Sequence, residues 1–145
     1  MVTKALESRV AVVTGANQGL GHAIARKYVE AGASLMICAR NEVLLETVRG
    51  ELAALAGPGQ VVCAMPADVS KQGDVAALVG AALKNFNRLD ILVNNAGVYG
   101  PKGTVEAVDW GEWMRTVEIN LFGSILLCRA VLPHFKAIGY GKIVQ

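Results

Sequence analysis

Short apolar runs alternate with amphipathic stretches along the whole chain. Residues 9–13 (RVAVV) form a nearly continuous Val-rich run, the pattern of a strand buried on both faces. Residues 20–31 place Ile24, Ala25, Tyr28 and Val29 on one stripe, which predicts a helix stopped by Gly32. Residues 34–39 (SLMICA) read as a second strand. Asn41 is positioned to cap a second helix with Leu44, Leu45, Val48, Leu52 and Leu55 at its apolar positions, and Gly57-Pro58-Gly59 breaks it. A third strand follows over 60–65, and Ser70 opens a helix running to about Asn85. Residues 90–93 (DILV) form a fourth strand, followed by a Gly-rich loop. The pattern is helical again from about Trp110 to Phe135, and residues 141–145 (GKIVQ) begin a fifth strand.

This alternation predicts one α/β domain over residues 1–145, a doubly wound parallel sheet with helices on both faces. Crossovers between parallel strands are right-handed almost without exception, which nearly determines the topology, and the expected strand order is 3-2-1-4-5. The order reverses between strands 1 and 4. A ligand should therefore sit in the crevice there, and chemistry should appear in the loops after strands 1 and 4.

Composition narrows the function. The 145 residues are 53% apolar and 18% charged, enough for a sizeable core and too apolar for disorder. The net charge of +2 removes the electrostatic case for nucleic-acid binding. No uninterrupted apolar run approaches eighteen residues, so no membrane span is expected. Residues 1–10 include Lys4, Glu7 and Arg9 and lack an apolar signal segment, which leads to an expected cytoplasmic location. Cys38, Cys63 and Cys128 lie far apart in apolar stretches and read as buried reduced thiols. His22 and His134 show no metal-ligand spacing, and no metal is expected.

The loop after strand 1 reads Thr14-Gly15-Ala16-Asn17-Gln18-Gly19-Leu20-Gly21. Gly15 permits a tight turn out of the strand, Gly19 lets the backbone approach a pyrophosphate, and Gly21 allows close helix–strand packing. Free N–H groups and the helix dipole would then stabilise phosphate charge. A strand before the string and a helix after it lift the motif above an ordinary Gly-rich turn. His22 follows Gly21 where a P-loop would have Lys and then Ser or Thr. After strand 4 comes Asn94-Asn95-Ala96-Gly97, whose carboxamides can tie neighbouring strands together. Asp68-Val69 follows strand 3, on the same edge of the sheet.

TGxxxGxG at Thr14–Gly21, Asp68-Val69 and NNAG at Asn94–Gly97 resemble the short-chain dehydrogenase/reductase family, in order and spacing, over essentially the whole chain. The resemblance implies a Rossmann-type fold and NAD(P)-dependent hydride transfer between the nicotinamide and a small-molecule alcohol/carbonyl substrate. It implies that Gly15, Asn17, Gln18, Gly19, Leu20 and Gly21 form the pyrophosphate and ribose loop. It places Asp68 on the adenine amino group, Val69 beside the ring, and Asn94, Ala96 and Gly97 along the adenosine ribose and the approach to the nicotinamide. Asn120 matches the family's helix Asn, which holds a water in a proton relay, and is the one catalytic position expected here. A homo-oligomer is expected of the full-length protein.

Cofactor choice has a physical handle. NAD-selecting enzymes usually carry an acid at the end of strand 2 for the ribose 2′-OH. That end reads Cys38-Ala39-Arg40, with no acid and with a guanidinium suited to a 2′-phosphate. NADP is therefore expected, with NAD as the alternative cofactor and a solvated loop cation as the plainer role for Arg40. Gln18 is not basic, so the second basic site of some NADP-preferring members is missing. The family's Tyr-x-x-x-Lys acid/base pair is missing too: Tyr140 with Lys142 and Tyr99 with Lys102 have the wrong spacing. The chain accordingly reads as the cofactor-binding portion of an oxidoreductase, truncated in strand 5 with its catalytic half elsewhere. The alternative is a dinucleotide-binding or interaction module that turns nothing over.

Overall fold

The computed structural model describes residues 4–145. The first three residues of the amino-terminal segment read as lacking a signal sequence lie outside the described residues. Five parallel strands form one sheet in the order β3-β2-β1-β4-β5, the order expected from crossover handedness. The strands are β1 (Val10–Thr14), β2 (Ser34–Ala39), β3 (Val62–Pro66), β4 (Ile91–Val93) and β5 (Lys142–Val144). The helices are α1 (Gly19–Glu30), α2 (Glu42–Leu55), α3 (Gln72–Phe86), α4 (Trp110–Val117) and α5 (Gly123–Ile138).

Alternation along the strands splits the core in two. Ala11 and Val13 of β1 and Leu35 and Ile37 of β2 meet Ala25, Val29, Leu45, Val48 and Leu52 of α1 and α2. Val10, Val12, Met36 and Cys38 point the other way, onto Val75, Leu78 and Val79 of α3 and Leu127 and Val131 of α5. Asn41 caps α2 as expected, accepting from Leu44 N–H at 3.0 Å. Asp109 caps α4 in the same way, from Glu112 N–H at 2.8 Å.

One regular long helix and the burial of all three cysteines are the expectations that need correction. The long helix is not one regular α-helix, because a π-helical turn over Glu118–Phe122 joins α4 to α5. The helical pattern read over residues 110–135 assumes unbroken 3.6-residue periodicity, which the wider turn interrupts. The continuous helical segment Trp110–Ile138 is also 29 residues long and, by length and composition alone, apolar enough to cross a membrane. Counting only uninterrupted apolar runs misses it, because Asn120, Gly123, Ser124 and Arg129 break the run. In this fold the segment lies against the sheet through the buried Ile119, Leu127, Val131 and Phe135. Of the cysteines, Cys38 is buried as expected, while Cys63 and Cys128 are only half-buried, and all three are free thiols.

The edge of the sheet where the strands begin is pinned by Asp90, whose side chain is fully buried. Its carboxylate accepts from Val10 N–H at 3.0 Å, from Arg9 at 3.0 Å and from Arg88 Nε at 2.9 Å. The Arg9 guanidinium lies 4.1 Å above the ring of Tyr140. Tyr140 is thus committed to the edge opposite the strands' C-terminal ends.

Candidate active site

A cleft of about 920 Å³ opens at the C-terminal ends of the strands, where the strand order reverses. Asn17, Gln18, Gly19 and Leu20 line it from the β1–α1 loop, and Arg40 from the end of β2. Asp68 and Val69 line it after β3, and Ala96, Gly97 and Val98 after β4. Asn120 reaches it from the π-helical turn.

Each glycine of the first loop has a distinct reason to be glycine. Gly15 has φ +63°, and a Cβ there would stand 2.9 Å from Ala96 Cα. A Cβ on Gly21 would run into Gly15 O and Asn95 Nδ2. Gly19 has φ +56°, but a Cβ there would meet nothing within 4 Å, because that position faces open cleft. The turn at Gly15 and the close packing at Gly21 are as expected, and Gly19 leaves the open space that a ligand approach would need. Gly21 nevertheless lies outside the cleft lining and acts purely in packing.

The two loops beside the cleft are joined by a residue that sequence reasoning left without a role. Thr14 is buried, and its Oγ1 donates to Val93 O at 3.2 Å while accepting from the N–H groups of Asn95 and Ala96, each at 3.0 Å. Asn95 returns the tie, its Nδ2 donating to Thr14 O at 3.0 Å and Gly15 O at 3.2 Å. Asn94 departs from expectation. Its Nδ2 turns towards α5, donating to Ser124 O at 3.4 Å, so its side chain braces β4 against the helix and does not line the cleft. Adjacent residues on extended backbone face opposite sides, and only one of the two carboxamides can serve the cleft-side loop.

Asn120 uses both ends of its carboxamide on one residue. Oδ1 accepts from Val98 N–H and Nδ2 donates to Val98 O, both at 2.8 Å. On the β3 side of the cleft, Asp68 Oδ1 accepts from Ser70 N–H at 3.0 Å and Ser70 Oγ at 2.6 Å. Asp68 Oδ2 accepts from Arg115 at 2.9 Å. Burial pushes the Asp68 carboxyl up, but the hydrogen bonds from Ser70 and Arg115 and the guanidinium charge outweigh it and hold the carboxyl at about 2. Val69 packs so tightly against the start of α5 that a Cβ on Gly123 would stand 2.8 Å from its Cγ2.

The residues present fit a dinucleotide. The N-terminus of α1 carries no side-chain cap, so its first N–H groups are open to the cleft-side loop and could meet a phosphate. Beside it lies the open space in front of Gly19. Arg40 is exposed and makes no hydrogen bond or ion pair among the described residues, and no carboxylate replaces it at the end of β2.

Comparison with known proteins agrees with this geometry. The family model described as short chain dehydrogenase matches residues 9–145. The chain is 39% identical to cis-4-hydroxycyclohexanecarboxylate dehydrogenase of Sinomonas cyclohexanicum, over 98% of this chain and 55% of that protein. A metagenomic short-chain oxidoreductase solved in complex with NADP is 37% identical, with a TM-score of 0.87 over 95% of this chain and 61% of that one. The 3-ketoacyl-(acyl-carrier-protein) reductase of Brucella melitensis, solved with NADH, is 39% identical, with a TM-score of 0.86 over 93% of this chain and 53% of that one. The chain spans about half the length of the curated relatives it matches. A parallel sheet reversing at a Gly-lined cleft, a match over residues 9–145 and close structural likeness converge on one assignment: the chain belongs to the short-chain dehydrogenase family of oxidoreductases.

Proposed function

We propose that this chain supplies the cofactor-binding portion of an NADP(H)-dependent oxidoreductase acting on an alcohol/carbonyl pair. One observation carries the cofactor preference: an exposed Arg40, with no ion-pair partner among the described residues, stands at the cleft at the end of β2, where NAD-selecting Rossmann folds usually carry an acid. The bound nicotinamide would supply hydride chemistry. The chain's own residues have separable tasks. The N–H groups at the start of α1 would hold the pyrophosphate, and Arg40 would take the 2′-phosphate as a bidentate fork. Asp68 would accept from the adenine amino group. Asn120 holds the backbone of Val98, which fixes the wall leading to the reacting end of the cleft.

A relative bound to NADP and another bound to NADH support a nicotinamide dinucleotide of either kind. Titration of the purified chain with NADPH and NADH separates them. Tighter NADPH binding is expected, and equal or tighter NADH binding overturns the preference. A second reading, a binding module without turnover, is favoured by one observation: no Tyr-x-x-x-Lys occurs in these 145 residues. The chain spans about half the length of the curated relatives it matches, and the oxidoreductase activity is a proposal on that footing.

A further inference from the structure

Arg115 lies on α4, 47 residues from Asp68 in sequence. Its guanidinium reaches across to the loop after β3 and forks, one nitrogen donating to Asp68 Oδ2 at 2.9 Å and the other to Ser70 Oγ at 3.2 Å. Ser70 in turn donates to the other oxygen of Asp68. Both carboxylate oxygens are thereby held from behind. Asp68 lines the cleft and Arg115 does not. The Asp68 side chain keeps only 12% of its surface in water, while Arg115 keeps 46%. Glu118 lies 3.7 Å from the same guanidinium, a second anion that steadies its position.

A carboxylate reads an exocyclic amino group only when it is ionised and pointed. A fork of this kind supplies both, since it adds geometry as well as charge. It also bolts α4, which leads directly into the turn bearing Asn120, to the loop on the adenine side. We propose that Arg115 is a positioning residue for adenine recognition, acting through Asp68 and Ser70 and never touching the cofactor. This rests on the dinucleotide reading of the cleft.

The test uses the two halves of the cofactor separately. Adenosine 2′,5′-bisphosphate and reduced nicotinamide mononucleotide are titrated against the chain and its Arg115→Met, Arg115→Lys and Asp68→Asn variants, each first checked for native circular dichroism. Arg115→Met should weaken the adenine-bearing half by about threefold to tenfold, the scale expected when a charge-assisted hydrogen bond is weakened through a neighbour. It should leave the nicotinamide half unchanged. Arg115→Lys should recover part of the loss, since it keeps the charge and loses the fork. In the Asp68→Asn background Arg115→Met should have no further effect, because the two act as one unit. Equal weakening of both halves, or losses that add in the double variant, would overturn the positioning role and leave the dinucleotide reading intact. An Arg115→Met variant that does not fold is decided by Arg115→Lys, whose unchanged affinity for the adenine half would equally overturn it. Failure of the unaltered chain to bind the adenine half overturns both.

Discussion

The carboxamide of Asn120 pairs with both backbone polar groups of Val98, at 2.8 Å each, as a strand neighbour would. A side chain thus does for the loop after β4 what a ladder partner does inside the sheet. Asn120→Ala should cost only about 0.5–1.5 kcal/mol, the usual net value of such bonds, since the pair is open to water. Its sharper consequence is local. Amide exchange at Val98 should accelerate about twofold to tenfold relative to the sheet, through loss of that free energy. Unchanged exchange at Val98 in a folded Asn120→Ala chain contradicts the bracing role.

Gly19 and Gly21 should separate binding from folding. Gly19→Ala places its Cβ in open cleft and costs only left-handed strain, on the order of 1–2 kcal/mol. The fold should survive while dinucleotide affinity falls. Gly19→Val adds a β-branched side chain at the same positive φ and should be less stable still. Gly21→Ala drives a methyl into Gly15 and Asn95 and should lower the unfolding temperature more than Gly19→Ala. Thermal unfolding beside NADPH titration reads both; a Gly21→Ala chain as stable as the parent refutes the packing assignment.

Arg40→Ala should weaken NADPH about tenfold or more, the value of a charge-assisted hydrogen bond, and leave NADH nearly unchanged. Equal losses for the two cofactors, measured by fluorescence titration, would mean that Arg40 is a solvated cation with no part in selection.

Asp68 and Asp90 should set the acid limit of stability. Burial raises the Asp90 carboxyl, but Arg88, the Val10 N–H and Arg9 outweigh it and leave it lowered, as Asp68 is lowered to about 2 from 3.8. Folded values below unfolded ones mean that this stabilisation is complete above the unfolded value. It is lost as the pH falls from about 4 towards 2. Urea unfolding across that interval should show stability falling with pH, with a shallower slope for Asp90→Asn. That variant should also lose on the order of 2 kcal/mol at neutral pH, below the figure for fully buried pairs because Arg9 and Arg88 keep 36% and 45% of their surface in water. An Asp90→Asn chain with the parent's slope would show that Asp90 does not set the limit.

Hydride transfer to a carbonyl leaves a developing alkoxide that needs a proton donor in reach. Tyr140, paired with Arg9 at the far edge of the sheet, cannot provide one, and Tyr99 lacks the Lys spacing. A missing general acid costs about 10²–10⁴-fold in rate. The 145-residue chain, its mass verified, should therefore bind NADPH without measurable oxidation by carbonyl substrates. Robust turnover would show that another residue here takes the acid's place.

Local sequence determined the elements. Val-rich runs, helical stripes, the Asn41 cap and the Gly57-Pro58-Gly59 break act over a few residues, and crossover handedness then cut the possible arrangements of five strands to a few, of which the expected order was the one found. It also marked the glycines and Asp68, because a turn or a phosphate approach restricts residue type wherever it occurs. The partners were beyond its reach. Thr14 joining β1 to the Asn95 loop, Asn94 turning to α5 and Arg115 holding Asp68 each link residues 30 to 82 positions apart. No periodicity encodes which donor meets which acceptor across that distance. The π-helical turn is of the same kind: residues 110–135 read as one helix, and the wider turn, from which Asn120 bonds across to the Val98 loop, is visible only in the tertiary structure.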